Sequence, residues 1–208
     1  MTVSANTHPQ QLVLTNRKAE YEIDPVFLQR WSPRAYSSRP VSDETLLQVL
    51  EAARWAPSAV NWQPWRFVVA KTEEDRAKFL SFLFEGNAVW CKQAPVLILL
   101  ASESLRPDGE GENTAHAFDA GTAWGFLSIQ AARLGLYTHA MGGFDKEQAK
   151  RVLNLPESVV PHVVISLGYY GDPAELPEPL KAREQPSTRR RLETFVFEGQ
   201  YGQALRVR

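Results

Sequence analysis

The sequence predicts an α+β or three-layer domain, and three observations carry that reading. Leu46, Leu47, Val49, Leu50 and Ala53 recur at helical spacing, which gives one apolar helix face. Pro95 to Ala101 shows no polar alternation and reads as a strand buried on both faces. Helical and strand-like segments also intermix along the chain without internal repeats. With 208 residues, 44% hydrophobic and 23% charged, the chain can bury a core of its own.

Taken in order, residues 1–22 show neither periodicity nor a cap and are expected to form a flexible arm before a single domain, 23–208. Asp24-Pro25 opens a short helix that stops near Trp31, because Pro33 disfavours helical geometry at Ser32. Ser42-Asp43-Glu44 starts the next helix with an acidic first turn, and Pro57 marks its end. Arg66–Ala70 reads as a strand and Glu73–Phe84 as a helix. A polar, glycine-bearing loop, Arg106–Asn113, follows the buried strand.

Thr114 to Leu134 is the most informative element. Asp119 and Arg133 are its only formal charges, so the helix is apolar around most of its circumference. Such a helix is either central to a core or packed against another subunit, and Gly135 supplies its C-cap. Leu136–Ala140 reads as a strand, Asp145 caps a helix through Leu153, and Val159–Leu167 is β-rich. A proline- and charge-rich tail begins at Pro173 and ends in a last extended or helical piece near Leu192–Phe197.

Several chemistries lack their sequence signatures. Neither G-x-G-x-x-G after a strand nor the P-loop pattern occurs. His8, His116, His139 and His162 lie far apart, without metal-ligand spacing, and Cys91 is the single cysteine. There is no G-x-S-x-G elbow. A net charge of -1 gives no general attraction to nucleic acid or acidic lipid, and no apolar run reaches the roughly 20 residues of a membrane span. The expected setting is cytoplasmic. Any reactive atom is expected to belong to a bound cofactor.

Two segments stand out: Arg30-Trp31-Ser32-Pro33-Arg34, and Ala56-Pro57-Ser58-Ala59-Val60-Asn61-Trp62-Gln63-Pro64-Trp65. Together with Met141-Gly142-Gly143-Phe144-Asp145 they resemble the nitroreductase family, with its R-x-S-x-[RK] opening, A-P-S-x-x-N-x-Q-P-W run and Gly-Phe-Asp turn. The resemblance spans about residues 24–200. It implies a three-layer α/β/α sandwich and an intertwined homodimer that exchanges its C-terminal extension. It also implies FMN as cofactor and NADH or NADPH as co-substrate.

The residues suit those roles. Arg30, Ser32 and Arg34 share one face if the segment is extended, and guanidinium forks match phosphate. By resemblance, Arg30 and Ser32, with Trp31 between them, hold the phosphate and ribityl end, and Arg34 lies near the ring's N1/O2 edge. Pro57, Ser58, Ala59 and Asn61 would come from the other subunit and close over the flavin. Gly142 and Gly143 let backbone N–H groups approach the ring, although many relatives carry an acidic side chain where Gly142 stands. Arg189 matches a phosphate-binding arginine; contacts from Lys92 or Arg191 stay open. The resemblance implies ping-pong hydride transfer to a small electron-poor acceptor, such as a nitroaromatic, quinone or enone. Alternatives are a dehalogenase or flavin-destroying enzyme of the same fold, or an FMN carrier without turnover.

Overall fold

The structure, a computed structural model, describes residue 13 and residues 15–206. Helix α1 (Val26–Gln29) starts where Val26 N–H donates to Asp24 Oδ1 at 2.9 Å. Helix α2 (Asp43–Arg54) is capped by Ser42, whose Oγ accepts from Thr45 N–H. Strand β1 (Trp65–Ala70) leads into α3 (Glu73–Phe82). The helix expected to run on to Phe84 instead breaks at Leu83, and α4 (Glu85–Cys91) follows. Leu83 and Phe84 are extended because Leu83 bridges to Phe144 and Phe84 N–H donates to the Gly143 carbonyl.

Strand β2 (Val96–Glu103) precedes the long helix α5 (His116–Arg133), then β3 (Tyr137–Met141), α6 (Lys146–Val152) and β4 (Val159–Gly168). The strands form one antiparallel sheet in the order β1-β2-β4-β3. Successive β2 side chains face opposite ways, as the pleat dictates. Val96, Ile98 and Leu100 join Leu46, Val49 and Leu127 of α2 and α5 in one core. Leu97, Leu99 and Ala101 join Phe79, Trp90 and Ala149 of α3, α4 and α6 in the other. Helices therefore cover both faces: the chain forms the three-layer sandwich. The uninterrupted apolar run of β2 is the trace of that double burial.

Helix α5 ends as its sequence predicts. Gly135 has φ 73°, Gly135 N–H donates to Ala132 and Leu136 N–H to Ala131, which is the paired C-cap that a glycine makes possible. One α5 face, with Ala120, Ala123, Leu127 and Ala131, is buried on the sheet, whereas Phe118 and Phe126 are 79% and 43% exposed on the other side. The all-round apolar composition therefore serves two surfaces, of which the protomer covers one.

The segment before α1 is tied to the body. Val13 is buried, and Arg17 donates to the carbonyls of Leu28, Arg30 and Ser187 at 2.8, 2.6 and 2.9 Å. Where the sequence suggests a flexible arm through residue 22, these bonds anchor its last part; residues 1–12 and 14 lie outside the described residues. Single side-chain bonds to carbonyls leave no periodic signal, which is why the pattern of residues did not show them. A short α7 (Glu178–Lys181) and a turn at Leu192–Thr194 complete the C-terminal stretch.

Candidate functional site

An open cleft of about 910 Å³ lies along α5, between its exposed face, the N-terminal segment and β3. Trp124, Phe126 and Ile129 form its apolar wall, while Arg30, Ser32 and His139 supply polar groups. Arg133, also on the cleft, is paired with Asp24 at 2.6 Å.

Burial alternates along residues 30–35: Trp31, Pro33 and Ala35 are buried, while Arg30, Ser32 and Arg34 are half-buried. Arg30 and Ser32 both line the cleft, whereas Arg34, at a bend, lines another depression with Trp90. The side chain of Trp31, which the sequence reading counts among the cofactor-contacting residues, is buried. Its ring packs in the core, 6.1 Å from Tyr137 and 5.6 Å from Tyr170. Arg30 and Ser32 sit side by side, Nη1 to Oγ 3.4 Å.

Three guanidiniums gather at the Arg30 end. Arg17 has its proton affinity lowered to about 10, by burial first and then by the charges of Arg189 and Arg30. Arg30 is lowered by burial and by Arg189. Among the described residues none of the three makes an ion pair. Clustered like charges without carboxylates are costly unless an anion completes them. Arg191, by contrast, is paired with Glu20 and Glu193. Arg189 is thus the member of the triplet turned to this cluster, its Nη1 held by Ser187 Oγ at 2.8 Å. Arg17 was missed from the sequence, since nothing in its local pattern marks it.

The Arg34 backbone is held by Glu184. Its carboxylate accepts from Arg34 N–H at 2.8 Å and from Ala35 N–H at 2.9 Å. Burial raises the Glu184 pKa, and the two backbone donors oppose that rise. The Arg34 guanidinium lies 6.0 Å from the Trp90 ring, and Trp90 in turn lies 4.7 Å from His139. His139 Nδ1 is 2.9 Å from the Pro33 carbonyl, so Nδ1 carries the proton and donates. Burial, helped by Arg34 and Arg30, lowers the His139 pKa to about 4. His139 was also missed, because a lone histidine in a strand has no distinguishing pattern. Lys92 borders other depressions than this cleft.

The strand carrying His139 and Ala140 runs on into Gly142 and Gly143. Gly142 is exposed, with open space where a side chain would start. Gly143 has a different reason: a Cβ there would lie 2.7 Å from Asn87 Nδ2, which donates to the Gly143 carbonyl at 3.0 Å. Pro57, Ser58, Ala59 and Asn61 stand apart from the Arg30 end of the cleft. Ala59 N–H donates to the buried carboxylate of Asp119 in the first turn of α5. The Arg30 segment instead meets the last turn, through Asp24 and Arg133. Those turns are about 20 Å apart along the axis at 1.5 Å per residue. The Ala59 turn is strained: Val60, Asn61 and Gln63 have φ of 52°, 56° and 50°.

The histidines separated in sequence are in part united in space. Ser102 Oγ lies 2.7 Å from His116 Nδ1 and 2.6 Å from His162 Nε2. The β2–β4 pairing brings Ser102 and His162 together, and His116 joins them from the start of α5, which spacing alone could not show. Cys91 is buried and its thiol pKa is pushed up to about 12, so it is inert as a nucleophile.

A three-layer α+β fold with an arginine-flanked cleft along a half-exposed helix defines an architecture with room for an anionic, partly apolar ligand. The sequence matches the description "Nitroreductase family" over residues 27–89 and 84–169. The chain belongs to the nitroreductase family, a family of oxidoreductases. A protein of Xanthomonas oryzae pv. oryzae, provisionally named NADH dehydrogenase/NAD(P)H nitroreductase, is 33% identical over 74% of this chain and 87% of its own. An NADH dehydrogenase of Thermus thermophilus is 31% identical over 71% of this chain and 85% of its own. A solved oxidoreductase containing FMN superposes with a TM-score of 0.86 at 42% identity, covering 98% of this chain and 100% of that one. Among the described residues no helix is long and apolar enough to cross a membrane.

Proposed function

We propose that the protein is an FMN-dependent oxidoreductase that passes hydride from NADH or NADPH to a small electron-poor acceptor, a nitroaromatic, quinone or enone, in a ping-pong cycle. The observation that carries this reading is the Arg17–Arg30–Arg189 cluster, which lacks carboxylate partners among the described residues and, through Arg30, borders an apolar-walled cleft. The solved relative containing FMN supports it.

The residues present fit the group. Arg17, Arg30 and Arg189 would hold its phosphate, joined by the Ser32 hydroxyl. The exposed backbone at Gly142, with open space around it, leaves room for close approach of a flat ring. Arg34, fixed through Glu184, would place positive charge at the ring edge. Bound FMN supplies a ring nitrogen that accepts hydride from the nicotinamide and gives it to the acceptor. The protein then contributes positioning and electrostatics, and the apolar wall of Trp124, Phe126 and Ile129 excludes water from one side.

We propose further that the active form is a homodimer. The exposed Phe118 and Phe126 on α5 leave an apolar face that a second copy would cover. The Pro57–Asn61 turn would then reach the partner's cleft, and its distance from the Arg30 end within one protomer favours that arrangement. The exchanged C-terminal extension belongs to the same proposal. A cytoplasmic setting does too, since reduced nicotinamide is supplied there.

The test is direct. The purified protein should be yellow, release FMN on denaturation, bleach anaerobically with NADH or NADPH, and recover colour on adding a quinone or nitroaromatic. Parallel lines in double-reciprocal plots would support the ping-pong order. A flavin that stays oxidised with both nicotinamides would favour the carrier alternative; a protein that ignores FMN would overturn the proposal. Sedimentation at micromolar concentration checks the dimer.

A further inference from the structure

The charged groups on the cleft, the guanidiniums of Arg30 and Arg133, are donors. His139 differs from them. Its Nδ1–H is spent on the Pro33 carbonyl at 2.9 Å, which fixes both the ring's orientation and its tautomer. The remaining nitrogen, Nε2, carries a lone pair and has no partner among the described residues, while the ring borders the cleft. Packing against Trp90 at 4.7 Å keeps the ring from turning away. Burial first, and then the nearby cations Arg34 and Arg30, disfavour a charged imidazole, so the nitrogen stays an acceptor throughout the neutral range.

A fixed acceptor on the cleft wall selects a ligand with a hydrogen-bond donor at that point. Phosphate oxygens cannot fill the role, since they carry no proton for it. The chain of hydroxyls next to the phosphate can. We infer that His139, through Nε2, accepts a hydrogen bond from a ribityl hydroxyl of the flavin and so reads the sugar-alcohol chain separately from the phosphate. This rests on the flavin reading above. It assigns His139 to binding and positioning, without a part in proton transfer.

Binding of FMN and of riboflavin, followed by flavin fluorescence on flavin-free protein, tests the assignment. His139→Phe keeps a ring beside Trp90 and removes the acceptor. It should weaken both ligands by a similar factor, about 5- to 10-fold for one lost hydrogen bond. His139→Gln, whose amide oxygen can reach the same point, should recover most of the loss. Arg30→Ala should weaken FMN alone. On wild-type protein the Nε2 resonance of His139 should move at saturating riboflavin, a readout that does not depend on any variant folding. An unmoved resonance, or a His139→Phe protein that binds riboflavin as tightly as wild type, would overturn the assignment and leave the flavin reading standing. Wild-type protein that binds neither flavin would overturn both.

Discussion

Arg17 and Arg30 are joined side chain to backbone: the Arg17 guanidinium donates to the Arg30 carbonyl at 2.6 Å while also bonding Leu28 and Ser187. One side chain thus fastens the start of the chain, the cleft segment and the C-terminal stretch that carries Arg189. Arg17→Ala should therefore cost about 1–3 kcal/mol of stability, as three carbonyls lose a charged donor. It should also weaken FMN binding more at low salt than at high salt. Arg17→Lys should not restore either property, because one ammonium cannot reach all three carbonyls with the same geometry. Urea unfolding and FMN titration at two ionic strengths measure both effects.

Much of the frame was legible because it is written in local chemistry. Ser42 and Asp145 announced their caps, Gly135 its positive φ, and the apolar run of β2 its place between two helical layers. The common placement of Arg30 and Ser32 on the cleft was legible from their spacing. Arg17, His139 and Glu184 were not. Each acts through a carbonyl, a ring or an amide brought close only by the finished fold, as with Glu184 and Arg34, 150 positions apart. The break at Leu83 belongs with these, since its cause is a bridge to Phe144.

Gly143 is required by crowding, so its substitution should be rescued by making room. Gly143→Ala places a methyl 2.7 Å from Asn87 Nδ2 and forces that amide off the Gly143 carbonyl. The expected cost is about 1–2 kcal/mol, the loss of a half-buried hydrogen bond plus local adjustment. Asn87→Ala alone should cost about 1 kcal/mol. The double variant should be close to Asn87→Ala, a coupling that a double-mutant cycle by thermal or urea unfolding would reveal.

Val60 is held at φ 52° although it is β-branched, and it is 77% exposed, so no packing offsets the strain. Val60→Asn, which tolerates the left-handed region, should stabilise the protein by about 0.5–1 kcal/mol. Its midpoint in urea should rise without a change in slope. If the turn does close over a partner's cleft, the same variant should also shift the acceptor KM, because the exposed Val60 side chain is then lost from that wall. An unchanged midpoint would mean that the backbone conformation is relaxed.

Acid should weaken the fold through His139. In the unfolded chain this imidazole titrates near 6.5, whereas burial lowers it to about 4 in the folded protein, with Arg34 and Arg30 adding to the effect. Between those values the unfolded state binds more protons, so stability rises with pH across the window. The contribution is fully present above about pH 6.5 and is lost as pH falls towards 4. By pH 4.5 the loss amounts to about 2–3 kcal/mol. His162, also lowered by burial and then by His116 and Lys146, acts in the same direction, so the wild-type profile alone cannot isolate His139. His139→Phe removes one titration and keeps the other. Urea unfolding of both proteins from pH 7.5 to 4.5 should show the wild type losing the larger amount, with the two curves parallel above pH 6.5. Curves that stay parallel down to pH 4.5 would show that His139 gains its proton in the folded state as readily as in the unfolded chain.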